Sequence, residues 1–418
     1  MSVDAERRSI AERVNLAAYL CCRECGETAD LDAPLGACAF CGGTREVAYD
    51  ESRLTFDPAL FARRSDSLWQ FAALLPAGVA GAAISLGEGN TPLRRSLATD
   101  LPGLWLKNET TNPTWAHKDR FHVVSTAMAV ALGYARVVSS STGNHGASMA
   151  AYASRAGLSG MVLCPPQVSP LLAALIGLFG SQVVITDWDA RDAMGRYLVT
   201  QRGWFPATGL DPDFAFAPNP FGPEGHKTIA YEIVRDLGTV PNSVLIPSAG
   251  GDTLYGVWKG FRELTALGVI DRTPRIHGCQ PAGADVLGQT LRAGSAKSIV
   301  LERPESIATS VRERTIGMHA VAAVSDSGGA ALTADDAAIV TAMIDLGREG
   351  YCLEPASALP LACLRNAVAS GVIDREETVV CVMTAAGIKW PETVQAHAPE
   401  PVYLEPTIAA LETFLGES

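Results

Sequence analysis

The chain has 418 residues and a formal net charge of −12, with 48% hydrophobic and 19% charged residues. That size suggests two to three domains and a substantial core. The acidic balance argues against nucleic acid or an anionic membrane as the main partner, because phosphate surfaces select basic proteins. The stretch 1–14 is charged and lacks the apolar segment of a secretory signal. The most apolar long stretch, 68–86, is interrupted by Pro76, Gly78 and Gly81, short of the ~18 clean apolar residues of a membrane span. Ten cysteines, five of them within 21–41, suit a reducing, cytoplasmic location rather than a disulfide scaffold.

Residues 1–48 form a compositional unit of their own. Cys22-x-x-Cys25 and Cys38-x-x-Cys41 are followed directly by Gly26 and Gly42. Two such pairs across a short loop put four thiolates around one tetrahedral ion, and the pattern predicts a structural zinc ribbon. The alternative is a loop-rich arm with reduced bystander cysteines. Cys21 is a spare thiol that could compete with Cys22. Four protein ligands leave no open position, so support rather than catalysis is expected here.

From residue 49 the chain alternates strand-like and helix-like segments with glycine-rich joints. Strands are expected at 104–107, 136–139, 160–163, 182–186, 243–247 and 377–383. Helices are expected at 147–156, 171–179, 254–267, 337–349 and 358–370. Strand, helix, strand at this spacing is the signature of βαβ units in parallel sheets, so the fold class is α/β beyond the arm.

Four segments carry candidate chemistry. In 112–120, Lys118 sits among aromatic and small residues at a helix start, where burial, the helix N-terminus and Arg120 would disfavour the ammonium form. A neutral amine is what imine formation needs; a solvated lysine is the bland alternative. The segment Ser140 to Gly146 offers hydroxyls and unpaired amides for a carboxylate or phosphate, or is simply a capped helix start. The loop Pro247 to Leu254 can cradle a phosphate dianion, although Asp252 adds a nearby negative charge. It is neither a Walker A loop nor a dinucleotide fingerprint. Thr384, at the end of an apolar strand, could meet a ring nitrogen or merely occupy a turn. The Arg312-Glu313-Arg314 group reads as a solvated face, with a substrate-phosphate role as the alternative because paired arginines suit phosphate, and Trp258 and Phe261 read as core.

Taken in order, SLGEGNTPL at 85–93, NPTWAHKDR at 112–120, STGNHGAS at 141–148, PEGHKTIAYEI at 223–233, PSAGGDTLYGVWKGF at 247–261, EPASA at 354–358 and TAAGIK at 384–389 resemble threonine synthase. The resemblance spans about 20–395 and implies a two-domain fold type II pyridoxal-phosphate enzyme with parallel-type sheets, plus the zinc-ribbon-like arm. It implies a large cofactor domain of 49–118 and 211–418, and a small domain of 119–210 that closes over substrate. Lys118 matches the Schiff-base lysine that also moves protons. Asn144 matches the asparagine beside the cofactor's 3′ oxygen, and Gly250, Gly251, Asp252 and Thr253 match its phosphate loop. Thr384 matches the hydroxyl facing the pyridine nitrogen, a partner that does not enforce a pyridinium and so suits elimination chemistry. Ser141, Thr142 and Gly143 match the loop that grips the substrate carboxylate, and His117 and Lys227 are expected to face substrate.

The implied reaction is conversion of O-phosphohomoserine and water to threonine and phosphate. The expected partner is therefore a phosphorylated amino acid, and a homodimer is compatible with the sequence. Several positions depart from the family pattern. Trp115, Ala116 and His117 replace a small residue, serine and phenylalanine, and Ala385-Ala386 replaces Gly-His. Ala249 replaces a glycine, His226 replaces a glutamine, and Gly222 stands where a larger, often basic or aromatic, residue is frequent. These departures favour an alternative: β-elimination or β/γ-replacement on a different amino acid. A non-catalytic ligand-binding protein of the same fold is a third reading, opposed by intact Lys118, Asn144 and Thr384.

Overall fold

The computed structural model describes residues 14–54, 57–98, 100–141, 143–209 and 218–416. The arm carries strands β1 (Ala18–Cys22), β2 (Thr28–Ala29) and β3 (Arg45–Tyr49), paired antiparallel in the order β2-β1-β3. Beyond the arm come β4 (Leu93–Arg95), β5 (Leu104–Asn108), α1 (Lys118–Ala131), β6 (Arg136–Ser140), α2 (Asn144–Arg155), β7 (Ser159–Cys164), α3 (Pro170–Leu178), β8 (Gln182–Ile185), α4 (Trp188–Arg202) and β9 (Phe205–Pro206). The chain then continues through α5 (Gly222–Leu237), β10 (Ser243–Pro247), α6 (Asp252–Ala266), β11 (Arg275–Pro281), α7 (Val286–Ala293), α8 (Met318–Asp326), β12 (Ala331–Ala334), α9 (Asp336–Arg348), α10 (Pro355–Ala369) and β13 (Val379–Met383).

Two sheets organise this α/β architecture. One is four-stranded and wholly parallel, β8-β7-β6-β9. The other is six-stranded, β12-β11-β10-β13-β5-β4, parallel except for the antiparallel edge strand β4. The β10 run SVLIP is buried throughout and has a parallel neighbour on each side. A strand covered on both faces reads as a continuous apolar run, which is why its sequence shows no alternation. Trp258 and Phe261 pack in the core on α6, as the apolar period indicated. Helix α4 and strands β11 and β12 are elements that the motif reading did not anticipate.

The site is positioned by close crossings of α1, α5 and α6. A Cβ at Gly225 of α5 would fall 1.8 Å from the Arg120 carbonyl oxygen, and one at Gly260 of α6 would fall 2.4 Å from that of Lys227. Only glycine allows backbones to approach this closely. As a result the α1 start, carrying Lys118, and the α6 start, carrying Thr253, are held against one central helix. Among the described residues no helix is long and apolar enough to cross a membrane.

Candidate active site

Lys118 opens α1 because the preceding residues are pinned to the far end of β13. Ala116 and Ala385 form an antiparallel bridge, and the His117 amide donates to the Thr384 carbonyl at 2.8 Å. The His117 ring reaches the same oxygen through Nδ1 at 3.1 Å. Trp115 takes a left-handed conformation, φ 59°, to make the turn. Lys118 is thus bracketed one residue from Thr384, whose hydroxyl shares a 2.9 Å hydrogen bond with that of Ser357.

The residues after Lys118 anchor rather than react. Asp119 accepts from the Thr114 amide at 2.6 Å, the Thr114 hydroxyl at 2.5 Å and the Ser148 hydroxyl at 2.6 Å. Burial still pushes its carboxyl up to about 6. Arg120 pairs with Glu109 and Glu232, each at 2.6 Å, and Lys107 pairs with Glu232 at 2.6 Å, all with fully buried side chains. This corrects the expectation that Arg120 helps to neutralise Lys118, since its charge is matched by two carboxylates. The Lys118 amine is pushed below its ordinary range by burial, against the opposing pull of Asp252, Glu313 and Glu354.

Two loops face this amine. Ser141 uses its hydroxyl as a cap, accepting from the Gly143 amide at 3.0 Å and the Gly146 amide at 2.9 Å. Thr142 lies outside the described residues. Asn144 donates through Nδ2 to the Glu354 carboxylate at 3.2 Å, while its buried Oδ1 has no hydrogen-bond partner. In the second loop, Gly251 has φ 104°, and a Cβ there would come 2.3 Å from that of Ala320. The Gly250 carbonyl accepts from the Gly317 amide at 2.9 Å. Asp252 Oδ1 lies 3.0 Å from His319 Nε2. Thr253 Oγ1 lies 3.3 Å from His226 Nε2, and the buried Ser248 hydroxyl has no partner.

Lys227 does not join this group. Its buried ammonium pairs with Glu224 at 2.8 Å and Glu263 at 3.1 Å, beneath the Tyr49 ring. Glu224 also accepts from the Tyr49 hydroxyl at 2.7 Å and pairs with Lys259 at 2.5 Å. The expected substrate contact is instead a latch fastening the arm to α5 and α6. Motif reading also left out Glu354, Ser357, Glu313 and His319. EPASA contains the first two, but nothing in its local pattern indicates that they reach Asn144 and Thr384. Glu313 is half-buried between exposed Arg312 and Arg314, and burial pushes its carboxyl up to about 7 against the opposing pull of Arg191, Arg312 and Lys118.

In the arm, the sulfurs of Cys22, Cys25, Cys38 and Cys41 all lie within 4.8 Å of one another. Cys22 and Cys41 are 3.5 Å apart, and Cys25 and Cys38 are 3.8 Å apart. A tetrahedron with Zn–S bonds of ~2.3 Å has edges of about 3.8 Å. Gly26 and Gly42 turn the two knuckles, each donating its amide to the first cysteine's carbonyl, at 2.9 and 2.8 Å. Cys21 is excluded from the cluster, because neighbouring residues of a strand point to opposite faces.

Residues 84–385 match the family described as pyridoxal-phosphate dependent enzyme. Threonine synthase of Methanosarcina acetivorans is 33% identical, covering 96% of this chain and 99% of its own. That of Methanocaldococcus jannaschii is 34% identical, covering 95% and 99%. That of Mycobacterium bovis is 36% identical, covering 81% and 92%. In fold the chain is similar to maize serine racemase, with TM-score 0.63 and 21% identity over 79% of this chain and 96% of the other.

Proposed function

The chain belongs to the threonine synthase family of pyridoxal-phosphate dependent enzymes, and from that premise we propose that it converts O-phosphohomoserine and water to threonine and phosphate, with Lys118 as the covalent anchor. The residues present fit the cofactor. Ser248 and Asn144 offer buried polar atoms without partners. Loop amides gather at the N-terminus of the 15-residue helix α6, where a phosphate dianion is favoured. Pyridoxal phosphate supplies an aldehyde for an amine and an electron-withdrawing ring that stabilises negative charge at nearby carbons.

The remaining work falls to the protein. We assign Lys118 to hold the cofactor and to move a proton at its Nζ, a role that its burial-lowered basicity supports. Gly250, Gly251, Asp252 and Thr253 would hold the phosphate, with Asn144 and Thr384 flanking the ring. Ser141, Thr142 and Gly143 would orient the substrate carboxylate. The segment 119–210, which carries its own parallel sheet, would close over substrate and exclude water. In the arm, Cys22, Cys25, Cys38 and Cys41 would hold a structural zinc. The observation that carries the reading is a half-buried lysine opening α1 one residue after the contact of His117 with the Thr384 carbonyl, its amine within the field of Asp252 in the loop of Gly250 to Thr253.

The test has two parts. Borohydride reduction of the cofactor-loaded protein and peptide mapping should place the label on Lys118. O-phosphohomoserine should yield threonine and phosphate in equal amounts, and a loaded enzyme giving neither product removes the substrate assignment. A second reading, β-elimination or replacement on another amino acid, is favoured by the pairing of Trp115 to His117 with Ala385 and Ala386. Turnover of a different amino acid in a substrate panel would establish it.

A further inference from the structure

Four of the seven histidines meet at one place. The rings of His122 and His145 are 4.2 Å apart between centroids, and those of His117 and His226 are 5.3 Å apart and stacked. Phe121 joins the pairs, 5.0 Å from His122, 4.9 Å from His145 and 5.8 Å from His226. Histidine is not a residue type chosen to fill a core, because each neutral ring presents one donor and one acceptor. Here both nitrogens of His122, and Nδ1 of His226, are buried without a hydrogen-bond partner.

The surroundings suit an anion. His122, His145 and His226 come from the first two turns of α1, α2 and α5, which begin at Lys118, Asn144 and Gly222, and a helix N-terminus favours negative charge. Position 222, where the family pattern often has a basic or aromatic residue, admits no side chain here. A Cβ there would fall 2.0 Å from the Phe121 ring. The imidazoles therefore stand beside a position with no room for a side chain of its own.

We propose that His122, His145 and His226, with His117 behind them, receive the phosphate of the substrate, and that one imidazole takes up a proton from solvent as that phosphate enters. This rests on the reading of the substrate as a phosphorylated amino acid. In the protein without substrate all four rings are held neutral. Burial is the leading cause for each, and Lys118 faces them all. Arg120 also faces His226, Lys389 faces His117, and Asp252 faces His145 from the opposite sign. A dianion placed among the rings reverses that balance, since an opposite charge in contact favours the protonated form. Binding then becomes linked to proton uptake.

The probe is the phosphonate isostere of O-phosphohomoserine, titrated into holoenzyme at pH 8 by calorimetry in two buffers of different ionisation heat. About one proton should enter per bound phosphonate, by the linkage between charge and binding. His226→Gln and His145→Asn should each weaken binding roughly 10-fold, as for one lost charge-assisted hydrogen bond. Both should cut the proton uptake by more than half, which also separates it from the phosphonate's own ionisation. Cofactor absorbance should be retained in both variants, so a folding defect is recognised by its loss in one and not the other. Binding without uptake in the wild type, or unchanged uptake in both variants, overturns the histidine assignment while leaving threonine formation untouched. A holoenzyme that neither binds the phosphonate nor turns over O-phosphohomoserine removes the substrate reading and this inference together.

Discussion

Ala386 donates its amide to the Trp115 carbonyl at 3.0 Å, which ties the two stretches that depart from the family pattern to each other. Ala116 and Ala385 face across the same bridge, and the His117 amide completes it on Thr384. The stretches 115–117 and 384–386 are thus joined by one short backbone ladder. Trp115, 40% exposed, holds a left-handed conformation that costs an ordinary residue about 1–2 kcal/mol.

Trp115→Gly tests what that residue is for. Glycine relieves the backbone strain and loses about 0.5–1 kcal/mol through unfolded-state entropy, so stability by urea titration should stay within about 1 kcal/mol. The KM for the amino acid substrate should move several-fold while the cofactor spectrum is unchanged. A large stability loss with an unaltered KM would mark Trp115 as purely structural.

Arg120→Lys is not conservative in this fold. Arg120 grips Glu109 with two nitrogens at 2.6 and 2.8 Å, and Glu232 with two at 2.6 and 2.8 Å. An ammonium cannot reproduce a planar fork, and breaking a buried pair costs about 3–5 kcal/mol. Denaturant unfolding should show a loss of that order, with the rise of α1 and Lys118 disturbed enough to weaken cofactor retention.

Tyr49→Phe removes the hydroxyl that fastens the arm to Glu224. A hydrogen bond to a charged acceptor contributes about 1.5–3 kcal/mol, so the variant should melt at lower temperature with its metal content intact. Cys25→Ser should instead lower bound zinc from about one per chain, as a four-cysteine site requires. Zinc analysis and melting curves of the two variants separate the latch from the metal. Equal melting of Tyr49→Phe and wild type would count against the latch.

Acid should destabilise the protein through His277, well away from the candidate site. Burial pushes this imidazole down to about 4, whereas a histidine in the unfolded chain titrates near ~6.5. Between those values the unfolded state binds more protons, so the stabilisation is complete above ~6.5 and lost as pH falls toward the folded value. The loss should reach about 2 kcal/mol by pH 5. His277→Asn should remove one proton's share of the slope of unfolding free energy over pH 4–6.5, the rest coming from the other buried histidines, and an unchanged slope would reject the assignment.

Much of this molecule was legible from local chemistry. The two Cys-x-x-Cys knuckles, the helix start at Lys118, the loop before α6 and the buried run of β10 depend on residues a few positions apart. Spacing and backbone preference decide such features, so pattern alone reaches them. What Arg120 and Lys227 do was not legible, because each is a cation whose role depends on which distant carboxylate it meets. Arg120 meets Glu109 and Glu232, and Lys227 meets Glu263 across a helix crossing. The histidines were hidden for the same reason. His117 and His122 point to different partners, and only the packing of α1 against α2 and α5 brings His145 and His226 to Phe121. One strand of residues thus determines its own turns, caps and cofactor motifs, whereas the partner of each buried charge is decided by folding, since electrostatic pairing follows distance in space and not along the chain.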